Sequence, residues 1–131
     1  MQWKVDFDEA GSFVRARQWD QFSLDDQAKF LSDIFASPNW RAGMDVLFDY
    51  RGLNVDTLDS GDLTTVSVIF QSARKKLADS KMALLCDSEE LFEVGRSFGE
   101  MLAPKLENKV VIFQNETAAI EWLTAGNKST I

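Results

Sequence analysis

The hexapeptide MDVLFD at residues 44–49 decides the fold class of this chain. Its centre, Val46-Leu47-Phe48, is a continuous apolar run, whereas a strand with one face in water alternates apolar and polar residues. Such a run is typical of a strand that is covered on both faces, so it predicts helices above and below it. Residues 81–86 (KMALLC) and 110–113 (VVIF) are predicted to be two further strands.

The chain opens with a different kind of strand. Residues 2–8 alternate strictly, with Trp3, Val5 and Phe7 on one face and polar residues on the other. Residues 9–11 (EAG) are few and end in glycine, so they predict a turn into a second strand over residues 12–19. The two strands are expected to form an antiparallel hairpin.

One helix is predicted before the central strand in the sequence and another after it. The first covers residues 23–37, where Ser23 with Asp26 resembles a capping box and Pro38 follows the last turn. The second covers residues 60–79, which contain many β-branched side chains and locally favour a strand. Their apolar residues nevertheless recur at steps of three and four over a length unusual for a strand, which favours a helix.

Two more helices follow the later strands. Asp87 with Glu90 is expected to cap the third, which Pro104 closes, and the fourth ends before Gly126. The element order is therefore ββαβαβαβα. Strands separated by helices usually lie parallel, joined by right-handed crossovers.

The predicted fold is a single α/β domain. It contains a mixed, mainly parallel five-stranded sheet with helices packed on its faces and the opening hairpin at one edge. We expect the domain to cover residues 1–126 and a polar C-terminal tail to cover residues 127–131.

The composition excludes several classes of function. A net charge of −7 disfavours nucleic-acid binding, and the absence of histidine excludes zinc hydrolases and the usual serine or cysteine triads. Because the sequence shows no other catalytic constellation, we expect no enzyme activity, metal or cofactor. A single cysteine suits a reducing compartment. The apolar runs are too short to span a membrane and the start lacks a secretory signal pattern, which together predict a cytoplasmic protein without membrane insertion.

Two segments resemble a known superfamily. Residues 46–53 (VLFDYRGL) are similar to the central strand and loop of the STAS-like, or SpoIIAA-like, superfamily of bacterial anti-sigma-factor antagonists, and residues 59–61 (DSG) to the segment that carries their phosphorylated serine. The resemblance implies a SpoIIAA-like fold and phosphorylation at Ser60. Residues 111–113 and 118–123 more closely resemble the uncharacterised bacterial branch known as STAS/SEC14.

The candidate site lies in the loops beyond the carboxyl ends of the parallel strands, where ligands of open α/β sheets bind. These loops are residues 49–60, 86–88 and 114–116. The residues predicted to bind a ligand or partner are Asp49, Tyr50, Arg51, Asp59 and Ser60. Structural roles are the alternative for some of them: Ser60 as a helix N-cap, and Asp49 with Arg51 as a salt bridge.

Two functions remain open at this point. The first is a non-enzymatic STAS-like regulatory or binding module that meets a protein partner or a small ligand through these loops. The second is a carrier or sensor of a small apolar or lipid-like ligand, as the resemblance to Sec14 implies and the four tryptophans and ten phenylalanines allow. The exposed hairpin edge also leaves a homodimer open.

Overall fold

The computed structural model describes residues 1–8, 13–106 and 108–128, which contain six strands and five helices. The strands are β1 (Gln2–Phe7), β2 (Phe13–Gln21), β3 (Asp45–Asp49), β4 (Leu53–Asn54), β5 (Met82–Leu85) and β6 (Val110–Phe113). The helices are α1 (Leu24–Ala36), α2 (Ser60–Ser72), α3 (Arg74–Leu77), α4 (Glu89–Leu102) and α5 (Glu116–Lys128). No helix in these ranges is long and apolar enough to cross a membrane.

The sheet has the order β1-β2-β3-β5-β6, with β4 beside the end of β2. β1 and β2 pair antiparallel and the other neighbours pair parallel, which confirms a mixed sheet with the hairpin at one edge. The sequence predicted five strands, and the sixth is the two-residue β4, whose Leu53 pairs with Asp20 of β2. The predicted turn at residues 9–11 lies outside the described residues.

Helices cover both faces of the sheet, as the apolar run in β3 predicts. α1, α2 and α4 pack on one face, which we call the three-helix face and which contains the larger core. α5 packs on the other, the α5 face, where Ala119 and Leu123 cover the centre of the sheet. Because neighbouring residues of a strand point to opposite faces, Phe48 lies on the three-helix face and Leu47 on the α5 face.

The N-caps of α2 and α4 each differ from the prediction by one residue. Asp59, and not Ser60, is the N-cap of α2: its side chain accepts a hydrogen bond from the backbone N–H of Asp62, whose side chain accepts one from Asp59 in return. Aspartate at both positions completes a reciprocal capping box, which leaves Ser60 in the first helical turn. Ser88, and not Asp87, caps α4. Ser23 precedes α1 as expected, but its side chain makes no capping hydrogen bond.

Two helix ends also differ. The helix predicted over residues 60–79 is interrupted at Ala73, which separates α2 from the four-residue α3, and it ends at Ala78 with a φ of +50°. The last helix continues to Lys128, past the predicted end at Gly126. Residues 129–131 of the predicted tail lie outside the described residues.

Candidate functional site

The buried carboxylate of Asp49, at the end of β3, is the centre of the site. Its Oδ2 accepts a hydrogen bond from Nη2 of Arg51 at 2.8 Å, and its Oδ1 accepts from Nε at 3.0 Å. The backbone N–H of Arg51 also donates to Oδ1, at 3.1 Å. Only 2% of Asp49 is exposed, against 40% of the Arg51 side chain, so the charge of Asp49 meets its partner at the protein surface. This two-pronged pairing holds the loop after β3 in one geometry.

The loops after β5 and β6 both contact the loop after β3. Nη2 of Arg51 also donates to Oε1 of Glu116 at 3.1 Å, and Glu116, the first residue of α5, forms an ion pair with Arg15 of β2. Asp87, in the loop after β5, accepts a hydrogen bond from the backbone N–H of Gly52 at 3.2 Å. The loops after β3, β5 and β6 therefore gather at one edge of the sheet, as parallel topology requires.

The charges around Asp49 set its protonation. Burial raises the pKa of Asp49, but the side-chain and backbone hydrogen bonds from Arg51, with the positive charges of Arg51 and Arg17, outweigh burial and bring the pKa below its usual value. The side-chain hydrogen bonds that Arg51 donates to Asp49 correspondingly raise the pKa of Arg51, despite the opposing effect of burial. Both groups stay ionised over the physiological pH range.

A polar trough extends from this edge across the part of the α5 face nearest β1. We call it the arginine trough. It encloses about 610 Å³ and is lined by Lys4, Asp6, Arg15, Arg17, Asp49, Arg51, Gly52 and Asp87. Sequence reasoning missed Arg15 and Arg17, although the alternation of β2 contains the signal: Val14 and Ala16 are buried in the core of the three-helix face, so the arginines between them point to the opposite face.

Arg17 differs from the other arginines of the trough. Its Cζ lies 4.8 Å from the centre of the Trp19 ring, and among the described residues it forms no ion pair with a carboxylate. Lys4 lies directly opposite Arg17 in the pairing of β1 with β2, so two positive charges stand side by side on this face, and an ion pair with Asp6 at 3.8 Å offsets part of the charge of Lys4. Like charges in opposite positions destabilise a strand pair, which makes this end of the trough attractive to an anion.

The comparisons with known proteins bear on the fold. No protein-family model matches the sequence, and no curated protein matches it. The structure is similar to that of an uncharacterized protein from the DUF3478 family with a SpoIIAA-like fold from Shewanella loihica PV-4, with a TM-score of 0.61 over 93% of this chain and 92% of that chain. The chain has a SpoIIAA-like fold. Because the two sequences share 12% identity, this similarity describes the fold and not the activity.

Tyr50 does not join the trough of this SpoIIAA-like fold. Its ring stacks on Phe48 at 6.1 Å between centres and lines a narrow apolar cavity on the three-helix face. Burial, with a smaller effect of Cys86, raises the pKa of Tyr50 far above its usual value. Asp49 and Arg51 contact each other on the opposite side, so the five predicted residues do not form one cluster.

The apolar cavity beside Tyr50 bears on the carrier hypothesis. It lies between α2, α4 and the loop that follows β4, and its volume is about 50 Å³. Pockets that enclose a drug-sized ligand measure roughly 300–1,000 Å³. A lipid-like ligand would therefore require α2 and α4 to separate.

Asp59 and Ser60 form a separate surface at the start of α2. Both are exposed, and the side-chain hydrogen bonds of Asp59 in the described structure are those of its capping box with Asp62. The Ser60 hydroxyl is accessible, but a phosphate there would stand beside these two carboxylates, and like charges oppose it. Phosphorylation of Ser60 stays a prediction of the sequence resemblance.

Cys86 follows β5 and is completely buried. Burial, followed by the negative charges of Asp87 and Asp49, raises the pKa of its thiol to about 12. A thiol in this environment is a small apolar core group and a poor nucleophile. Within the described ranges, no three Cys, Asp or Glu side chains come together in a group that could hold a metal ion.

Proposed function

We propose that this chain is a non-enzymatic binding module that recognises a carboxylate-bearing segment of a protein partner in the arginine trough. The observation that supports the proposal is the state of Arg17: an exposed guanidinium that lies beside Trp19 and opposite Lys4, and that forms no ion pair within the described structure. A partner carboxylate would supply the missing negative charge.

The geometry of a guanidinium suits this partner. Its planar fork can donate two parallel hydrogen bonds to one carboxylate, which adds orientation to charge attraction. Lys4, whose exposed ion pair with Asp6 is weak, places a second positive charge next to it, and the Trp19 ring restricts the guanidinium on one side. The protein as a whole carries a net charge of −7, so an acidic segment would be repelled elsewhere and directed to this trough.

The remaining groups of the trough hold its shape. Asp49, Arg51 and Glu116 are joined by hydrogen bonds that tie the loop after β3 to the start of α5. The Asp87 side chain holds Gly52 in place by accepting a hydrogen bond from the backbone N–H of Gly52. Because these carboxylates already accept hydrogen bonds, they suit a rigid binding rim better than proton transfer, which supports a non-enzymatic role.

An oligo-glutamate peptide and its oligo-glutamine counterpart test the proposal by fluorescence anisotropy. We expect the unaltered protein to bind oligo-glutamate more tightly, with an affinity that falls as salt is added. Arg17→Gln should weaken this binding by about tenfold, the equivalent of one charge-assisted hydrogen bond. Arg74→Gln, which removes the same charge from an exposed position on α3, is the matched control.

The proposal fails if the protein binds both peptides equally, because charge recognition would then be absent. It also fails if Arg17→Gln and Arg74→Gln weaken binding to the same extent, because net charge alone would explain that result.

A further inference from the structure

β1 forms an edge of the sheet, where some of its backbone groups have no strand partner among the described residues. The N–H of Asp8 donates to the carbonyl of Phe13 at 3.0 Å, so the N–H and C=O groups of Asp8 point towards β2. In an antiparallel pair these directions alternate along the strand. The backbone groups of Trp3, Val5 and Phe7 therefore point away from β2, where no described strand pairs with them.

The sequence of β1 is complementary to itself. In an antiparallel pair of two identical β1 strands centred on Val5, Lys4 of each copy lies opposite Asp6 of the other, and Trp3 opposite Phe7. We propose that two copies of this chain associate through β1 in this register, so that their sheets join into one continuous sheet. Lys4 and Asp6 also line the arginine trough, but the inference rests on the edge of β1 and does not depend on the proposed function.

The backbone directions agree with this register. Val5 pairs with its own copy and Trp3 with Phe7, and these are the residues whose N–H and C=O groups point outward, so each pair can exchange two hydrogen bonds. Lys4 and Asp6 then occupy positions without cross-strand hydrogen bonds, where opposing side chains lie closest together. Within one copy Lys4 Nζ and Asp6 Oδ2 form an ion pair at 3.8 Å, but their side chains are 67% and 55% exposed, so this pair is weak and can be exchanged for two pairs across the interface.

The charges also exclude the neighbouring registers. An antiparallel pairing of the two β1 strands centred on Lys4 would place the two Lys4 side chains opposite each other. A pairing centred on Asp6 would place the two Asp6 side chains opposite each other. Like charges in direct opposition destabilise strand pairing. The register centred on Val5 converts the same residues into two ion pairs and keeps Trp3, Val5 and Phe7 of both copies on the three-helix face.

The test is the dimer dissociation constant, measured by analytical ultracentrifugation and native mass spectrometry. We expect the unaltered protein to dimerise. Lys4→Asp alone and Asp6→Lys alone should each weaken the dimer by about tenfold or more, because both ion pairs become like-charge pairs. The double variant Lys4→Asp with Asp6→Lys restores opposite charges and should recover the dimer. Lys105→Asp, at an exposed site after α4, is the control for net charge.

Val5→Pro tests the backbone pairing separately. The N–H that proline removes points away from β2, so the hairpin loses no internal hydrogen bond while the interface loses one from each copy. We expect a folded monomer, checked by circular dichroism.

Three results would overturn the inference. They are a monomer at every concentration up to millimolar, a dimer that is unaffected by the Lys4 and Asp6 variants, and a double variant that stays as weak as the single ones. If Val5→Pro does not fold, the charge variants still decide the question.

Discussion

The carboxylate of Asp49 and the guanidinium of Arg51 are joined by two hydrogen bonds, 2.8 and 3.0 Å long, and only Tyr50 lies between them along the chain. The arrangement is local in sequence but connects distant elements, because the same guanidinium reaches Glu116 at the start of α5. One arginine therefore neutralises a buried charge and fixes a helix on the sheet.

Asp49→Asn should destabilise the protein. The substitution removes the negative charge while Arg51 stays in place, and hydrogen bonds to charged groups contribute about 2 kcal/mol each. We expect a decrease of about 2 kcal/mol in the free energy of unfolding in urea at neutral pH. Asp56→Asn, an exposed loop change, should alter it by less than about 0.5 kcal/mol. Equal effects of both variants would contradict the role of the Asp49–Arg51 pair.

The stability difference between the unaltered protein and Asp49→Asn should depend on pH. The pKa of Asp49 is lower in the folded protein than its usual value of 3.8, so the ionised carboxylate stabilises the fold above that value. This contribution is lost as the pH falls through the folded pKa. Urea unfolding of both proteins should show a constant difference from neutral pH down to about pH 5 and a shrinking one below about pH 4. A difference that grows in acid would contradict the lowered pKa.

Two glycines should respond to alanine in opposite directions. Gly43 has a φ of +87°, and a Cβ there would lie 2.8 Å from Oδ1 of Asp79, so Gly43→Ala should cost about 1 kcal/mol or more. Gly99 lies within α4, and its Cβ would meet Val110 Cγ1 at an ordinary 3.7 Å, so Gly99→Ala should gain about 0.5–1 kcal/mol from helix propensity. In thermal unfolding, Gly43→Ala should have a lower Tm than the unaltered protein and Gly99→Ala a higher one.

The capping box of α2 predicts a contrast between neighbours. Asp59→Ala removes the acceptor for the N–H of Asp62 and should cost about 1 kcal/mol. Ser60→Ala should leave stability within about 0.5 kcal/mol, because no capping hydrogen bond involves its side chain. Urea unfolding of the two variants distinguishes them, and a larger loss for Ser60→Ala would return the N-cap to Ser60.

The Cys86 thiol should resist modification until the protein unfolds. With a pKa of about 12 and no exposed surface, it should react with an aromatic disulfide more than about a hundredfold slower than in urea. Ser97→Cys in a Cys86→Ser background places a thiol on the exposed side of α4 and should react at once. Comparable rates for the two thiols in native protein would show that Cys86 is accessible.

Much of the fold follows from patterns that one segment contains by itself. The apolar run of β3 and the alternation of β1 predict how many faces of each strand are covered, and both predictions are confirmed. β4 could not be found this way, because two residues have no periodicity and Leu53 pairs only where β2 extends beyond β3. The break after α2 is likewise invisible in an apolar stripe that continues through Ala73 and Leu77.

The site was less predictable because it depends on which face each residue occupies. The parallel topology indicated which loops meet at this edge of the sheet. Arg51 and Gly52 make the hydrogen bonds between these loops. Tyr50, next to Arg51 in sequence, lies on the opposite side of the sheet with Phe48. Arg15 and Arg17 were missed because they are on a strand and not in a loop, although the alternation of β2 already assigns them to the α5 face.

The division of the core between two faces has a consequence for synthesis of the protein. Leu47 and Leu85 are fully buried on the α5 face, under Leu123 of α5. All strands and the helices of the three-helix face precede α5, so they can assemble on the ribosome while this apolar strip is still open to water. Such a nascent chain exposes an apolar surface of the kind that chaperones bind and that causes aggregation at high concentration. The docking of one late helix, and not the completion of the sheet, decides when the new molecule is protected from aggregation through this strip.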